Sequence, residues 1–155
     1  MKFAIISDTH DNLANVKNVI NWLNKEEITL LLHCGDINSK ETIKMIGDTF
    51  KGEAKFARGN ADVSIEGLNE FEEVEIDGKR IAFTHFPTEA NELCNTKKYD
   101  LVFHGHTHKP WESMVGECKL VNPGEAAGIY NKATFATYDT KTDKLELKII
   151  ERLNI

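Results

Sequence analysis

Tyr99-Asp100-Leu101-Val102-Phe103-His104-Gly105-His106-Thr107-His108 is an apolar, β-prone run that stops at a glycine and then offers two imidazoles one residue apart. Such a run reads as a buried strand. Gly105 lets the backbone leave the strand sharply, which sets His106 and His108 on the turn beyond it, where loops carry function. Two imidazoles held that close are a natural pair of metal ligands; the bland alternative is a histidine-rich surface turn.

Outward from this stretch the same pattern recurs. Residues 2–7 are a continuous apolar run, read as a strand buried on both faces, and end in Asp8-Thr9-His10. A helix follows, with Leu13, Val16, Val19, Ile20 and Leu23 on one stripe and Asp11 or Asn12 as N-cap. Residues 29–33 form a second strand ending in His33-Cys34-Gly35-Asp36, Ser39 caps a helix to about Phe50, and Ala54–Ala57 is a third strand before Arg58-Gly59-Asn60-Ala61-Asp62. Strand, acidic turn, helix and strand again is the βαβ pattern of a partly parallel sheet. The texture then changes: Glu72–Ile76 and Arg80–Thr84 alternate around Asp77-Gly78, a hairpin signal, and the second strand runs into His85. A helix over 88–97 and strands at Lys119–Val121, Ala133–Asp139 and Lys144–Ile150 complete the reading. No linker or repeat interrupts it, so residues 1–155 are expected to form a single domain, two sheets face to face with helices outside.

Composition sets bounds. With 41% hydrophobic and 28% charged residues the 155-residue chain is an ordinary globular one. Its net charge of −6 argues against non-specific binding to nucleic acid or to an anionic membrane. Cys34, Cys94 and Cys118 are too few and too widely spaced for a disulfide framework or a zinc knuckle, and read as reduced core residues. Asp8 interrupts the first apolar run too early for a signal peptide, and no run approaches membrane-spanning length, so a cytoplasmic location is expected.

Asp8, His10, Asp36, Asn60, His85, His106 and His108 all stand at or just after a strand end. Where parallel strands share a carboxyl edge, such side chains converge. Two carboxylates, one amide and four imidazoles suit Mn2+, Fe2+, Co2+, Ni2+ or Zn2+ better than Ca2+ or Mg2+. Seven ligands are too many for one closed tetrahedral ion but fit two ions sharing a carboxylate. Such a pair activates a water as hydroxide and clamps a phosphoryl group in an in-line displacement.

In order along the chain, Asp8-Thr9-His10, Gly35-Asp36, Gly59-Asn60-Ala61-Asp62, Thr84-His85 and Gly105-His106-Thr107-His108 resemble the motif set of the calcineurin-like metallophosphoesterases. Asn122-Pro123-Gly124 is similar to a turn in that superfamily's small, single-domain bacterial and archaeal phosphodiesterases. The resemblance implies a four-layer α/β/β/α sandwich of two mixed sheets. It also implies a phosphodiesterase, or more broadly a phosphoric ester hydrolase, that uses a dinuclear metal centre and a metal-bridging hydroxide as nucleophile. One ion would be held by Asp8, His10, Asp36 and His108, the other by Asp36, Asn60, His85 and His106, with Asp36 as bridge; Mn2+ or Ni2+ is favoured. Asp36, Asn60 and His85 take the catalytic assignments, and Asn60, Arg58 and Phe86 are candidates to touch a small phosphoester substrate.

Two positions depart from the family pattern. Ala61 replaces a histidine thought to help protonate the leaving group, and Phe86-Pro87 replaces a glycine with a further polar residue. The first predicts a preference for acidic leaving groups or a water as acid, the second an apolar, stiff pocket wall that suits a ring. Structural readings compete at several residues: His33 and His104 as supports facing away from the site, Arg58 in an ion pair, Asp11 as a helix cap, Cys34 as packing, Trp111 as either pocket lining or core. The rival functions are a non-catalytic scaffold of the same fold, as in a subunit of the retromer sorting coat, and a nuclease. A complete ligand set including His10 argues against the scaffold, and the acidic charge against the nuclease. A dimer through the strand-rich C-terminus is possible on this reading.

Overall fold

The fold, seen in a computed structural model that describes residues 1–155, consists of two five-stranded mixed sheets and three α-helices. The first sheet contains β1 (Lys2–Ile6), β2 (Leu30–His33), β3 (Glu53–Phe56), β9 (Thr134–Asp139) and β10 (Lys144–Ile149), in the order β10-β9-β1-β2-β3. The second contains β4 (Phe71–Ile76), β5 (Lys79–Thr84), β6 (Leu101–Phe103), β7 (Trp111–Val115) and β8 (Cys118–Asn122), in the order β4-β5-β6-β8-β7. Each sheet has three adjacent parallel strands: β1, β2 and β3 in one, with β3 at the edge, and β5, β6 and β8 in the other, at its centre. Antiparallel β9 and β10 complete the first sheet, and β4 and β7 form the two edges of the second.

The burial pattern explains the layering. Phe3, Ile5 and Leu32 from the first sheet meet Ile81, Phe83 and Phe103 from the second in the core between the sheets, where the Phe3 and Phe103 rings pack edge to face at 6.0 Å. The alternate residues Ala4, Ile6 and Leu31 face outward to α1 (Leu13–Lys25) and α2 (Lys40–Thr49), whose apolar stripes supply Val16, Val19, Ile20, Leu23 and Ile46. On the far side Ala82, Val102 and Leu120 pack under α3 (Pro87–Asn95) through Ala90 and Cys94. Each central strand is thus apolar on both faces, which is why it reads as a continuous hydrophobic run. The result is the expected α/β/β/α sandwich.

Several local expectations need correction. Asn12, not Asp11, caps α1: its Oδ1 accepts from Asn15 N at 3.1 Å, while the Asp11 carboxylate accepts from the hydroxyls of Ser39 and Thr42 and ties the starts of α1 and α2 together. Between His108 and Lys119, where the sequence suggests no element, lies the edge strand β7, and Trp111 on it is exposed, neither core nor site lining. Its inward positions, Ser113 and Val115, are only half-buried and one of them is polar, so the sequence shows no apolar alternation. The cysteines were expected to be reduced, yet Cys94 and Cys118 form a disulfide with their Cα atoms 5.5 Å apart. The separation of 24 residues concealed the pairing; α3 packs across β8 and brings its last turn over the strand's first residue. Cys34 is a buried free thiol, as read.

Candidate metal centre

All six parallel strands point their carboxyl ends at one edge of the sandwich, and each delivers polar groups there. Asp8 and His10 follow β1, Asp36 follows β2, Asn60 follows β3, His85 follows β5, and His106 and His108 follow β6. The seven side chains meet. His108 Nε2 lies 3.3 Å and His10 Nε2 3.8 Å from Asp8 Oδ1, and His10 Nε2 is 3.6 Å from Asp36 Oδ2. On the other side of Asp36, His85 Nε2 is 3.4 Å from Oδ1 and 3.1 Å from Asn60 Oδ1, which is 3.0 Å from His106 Nδ1. The two oxygens of Asp36 therefore face two separate donor groups. Ligands at bond lengths of about 2.0–2.2 Å around one cation stand roughly 3.0–3.5 Å from each other, close to the spacings found.

The donor set also demands positive charge. Asp8 and Asp36 are buried, and imidazoles are their only ionisable partners of opposite sign within ion-pair distance. Asp8 Oδ1 and His10 Nε2 are buried atoms with no hydrogen-bond partner. A buried carboxylate left in that state is costly unless a cation completes it. The residues present thus fit a pair of divalent ions.

Supporting contacts fix which nitrogen of His85 and of His108 faces inward. His85 Nδ1 lies 2.8 Å from the carbonyl of Cys34, which can only accept, so Nδ1 carries the proton and Nε2 presents its lone pair. The His108 Nδ1 likewise donates to Glu125 Oε2 at 2.8 Å. Burial pushes the Glu125 carboxyl up, but His108 and the N–H groups of Ile129, Tyr130 and Asn131 outweigh it and hold the group below its ordinary range. Sequence reasoning missed Glu125; its signal was its place directly after Asn122-Pro123-Gly124. That turn belongs to the site as well: Asn122 Nδ2 donates to the Gly105 carbonyl and the Thr107 hydroxyl, holding the loop between β6 and β7.

Two residues outside the ligand set organise the loops. Asp62 is fully buried; its Oδ1 accepts from the N–H groups of Ile37 and Asn38, and its Oδ2 from those of Asp36 and Gly59, at 2.7–2.9 Å. Its work is to shape the Asp36 loop, and it needs no histidine at position 61 for that. His33 accepts the Gly35 N–H on Nδ1, which leaves Nε2 to donate to the Thr9 hydroxyl at 3.0 Å. Burial drives its pKa down to about 4, so it is a neutral strut between the first two loops. His104 is buried beside the Gly105 carbonyl, and burial lowers its pKa. Both support the site from behind, as expected. Arg58 makes no ion pair, against expectation: its Nη2 donates to the Ile65 carbonyl at 2.8 Å.

Electrostatics follow the same division. Burial pushes Asp8 and Asp36 up, but the surrounding imidazoles, with Ser7 for Asp8 and the Ala61 N–H for Asp36, prevail and hold both carboxyls down. Asp8, with Asp36, raises His10 against burial; burial pulls His85 down, but Asp36 and Asp8 overcome it. Gly105 has a role different from the one expected: its φ is not positive, and a Cβ there would stand 1.9 Å from Ser7 Oγ and 2.5 Å from Asp8 Oδ2. Close approach of the loop from β6 to that from β1, rather than an unusual backbone angle, requires the glycine.

Comparison with known proteins finds phosphoesterases of the same fold. A phosphodiesterase of Methanocaldococcus jannaschii is 29% identical over 166 residues, covering 97% of this chain and 100% of that protein. A probable metallophosphoesterase of the same organism is 28% identical over 97% of this chain and 81% of its own length. Among solved structures, a novel archaeal phosphodiesterase superposes with a TM-score of 0.87 at 28% identity, covering 96% of this chain and 99% of that one. The zinc complex of Vps29 from Entamoeba histolytica, at 24% identity and a TM-score of 0.76 over 95% of this chain and 90% of its own, shares the fold. Residues 1–143 match the calcineurin-like phosphoesterase superfamily domain. Divalent-metal phosphoester hydrolysis is the chemistry of that family, and the chain belongs to the calcineurin-like phosphoesterase superfamily.

Proposed function

We propose that this chain is a phosphodiesterase working with two divalent transition-metal ions, Mn2+ or Ni2+ foremost. Asp8, His10, Asp36 and His108 would hold one ion, and Asp36, Asn60, His85 and His106 the other. What supports the reading above all is the pair of orphaned buried atoms, Asp8 Oδ1 and His10 Nε2, inside a cluster of inward-facing donors. A protein-binding scaffold that holds no metal would have no use for that desolvated, unpaired polar surface.

When bound, the ion pair supplies Lewis acidity toward the phosphoryl oxygens and lowers the pKa of water toward neutrality. The chain's residues do the rest. Asp36 faces both donor groups and keeps them in register. The Cys34 carbonyl and the Glu125 carboxylate accept from Nδ1 of His85 and His108 and so turn Nε2 of each ring toward the centre. Asn60, exposed on the open side, has an amide N–H2 able to donate to a phosphoryl oxygen while its Oδ1 faces the imidazoles. Ala61 offers no proton to the departing alcohol, so diesters with acidic leaving groups are favoured. The Ala61→His variant should gain on alkyl esters at least tenfold more than on aryl esters; a uniform change across both would refute the role given to this position.

The direct experiment strips the protein of metal and reloads it with Mn2+, Ni2+, Co2+, Zn2+ or Mg2+ singly, against a panel of phosphomonoesters and diesters. Two ions bound per chain with diester hydrolysis restored is the expected result. Two ions bound with no ester cleaved would favour the scaffold, and no binding would remove the ligand assignment.

A further inference from the structure

A cavity of about 380 Å³ opens beside the second group of donors, with Asn60 and Phe86 on the shared wall. The Phe86 ring is 38% exposed and lies 4.8 Å from the His106 ring, so a group bound at the imidazoles continues directly into the cavity. The other walls come from Arg58, Val63, Glu70 and Glu89, residues outside the metal-ligand motifs.

Charge and shape decide what this cavity accepts. Phe86 and Val63 offer apolar surface suited to a flat ring. Glu70 has no side-chain partner within the chain, and Glu89 accepts only from the Thr84 hydroxyl, so carboxylate oxygens are open to N–H donors. The Arg58 guanidinium lines the cavity, anchored by its Nη2 on the Ile65 carbonyl. The two carboxylates repel a further phosphate, and the guanidinium opposes an ammonium group. A neutral heterocycle that carries both N–H donors and acceptors on its rim satisfies all of these groups together.

We propose that this cavity is the specificity pocket for one ester substituent, and that it selects a nucleobase-like heterocycle without a second phosphate. Phe86 supplies the stacking surface, Glu70 and Glu89 accept from the ring's N–H groups, and Arg58 donates to its acceptors. The natural substrate class is then a small nucleoside phosphodiester rather than a nucleic-acid chain or a lipid headgroup. This rests on the phosphodiesterase reading above, but binding and catalysis can be separated.

The test measures binding to the Mn2+-loaded protein by calorimetry, using thymidine 5′-phosphate, phenyl phosphate, ethyl phosphate and thymidine 3′,5′-bisphosphate. Thymidine 5′-phosphate should bind at least tenfold tighter than ethyl phosphate, with phenyl phosphate between them and the bisphosphate weaker than the 5′-phosphate. Phe86→Ala should remove most of the advantage of both ring compounds. Glu70→Gln with Glu89→Gln should narrow the gap between the two thymidine ligands while leaving phenyl phosphate unchanged. Trp111→Ala, on the distant edge strand, should change none of these values. Equal binding of all four ligands, or a Phe86→Ala variant that keeps the ring preference, would overturn the proposal. If these affinities hold while no diester is cleaved, the phosphodiesterase reading fails and the pocket stands.

Discussion

Five of the seven candidate ligands have left-handed backbone conformations: Asp8 (φ 52°), His10 (φ 41°), Asp36 (φ 55°), His106 (φ 70°) and His108 (φ 61°). Each such residue without glycine's freedom costs on the order of 1 kcal/mol. That five coincide at one edge marks the place where chemistry has overruled conformational preference. His108→Gly and His108→Ala should both abolish ion binding at the first group, but the glycine variant should be the more stable by about 1 kcal/mol in urea denaturation. Equal stability would mean that the turn is unstrained. At His33 the direction of titration is testable. Its folded pKa lies below the unfolded value, so its contribution to stability is complete above pH 6.5 and is lost as pH falls toward about 4. NMR of its imidazole should show a neutral ring at pH 5, where an exposed histidine is protonated. Asp62→Asn leaves one carbonyl oxygen for four N–H groups and should cost about 2–4 kcal/mol, measured by the shift of the unfolding midpoint in the Mn2+-loaded protein.

Secondary-structure elements were legible in the sequence in proportion to their burial. β1, β2 and β6 are apolar on both faces and announce themselves as runs, and the α1 stripe has helical spacing that nothing else explains. The ligand positions followed, because each sits at the end of such a strand. β7 was missed because its half-buried face carries Ser113 and its exposed face Trp111 and Met114, which hides the alternation, and Glu125 because it acts on a ligand rather than at the centre. Asp62 stands in the motif after β3, but its role was not legible: four hydrogen bonds to backbone N–H groups leave no trace in side-chain spacing. The Cys94–Cys118 bond was invisible for a related reason, since it depends on α3 lying over β8. Closing a loop of that length contributes about 3 kcal/mol. Reduction should therefore lower the unfolding free energy by roughly that amount; no shift in the urea midpoint with dithiothreitol would deny the bond a structural role.

For the whole molecule, the two buried carboxylates make the ion-free form the weaker one. Ions that bind only the folded chain stabilise it by about 2.7 kcal/mol each at one hundred times their dissociation constant. For a domain of this size two of them should raise the melting temperature by roughly 10–20 °C. Calorimetry with and without chelator checks this, and Asp36→Asn should abolish the difference. The route of the chain adds a temporal consequence. Asp8, His10, Asp36 and Asn60 arrive with β1, β2 and β3, whereas His85, His106, His108 and the clamp at Glu125 arrive only with the strands of the second sheet. A nascent chain halted before β5 therefore owns half a cage and retains no ion. Cation capture becomes the final step of maturation, and a tightly held pair certifies that both halves of the sandwich have closed on one another.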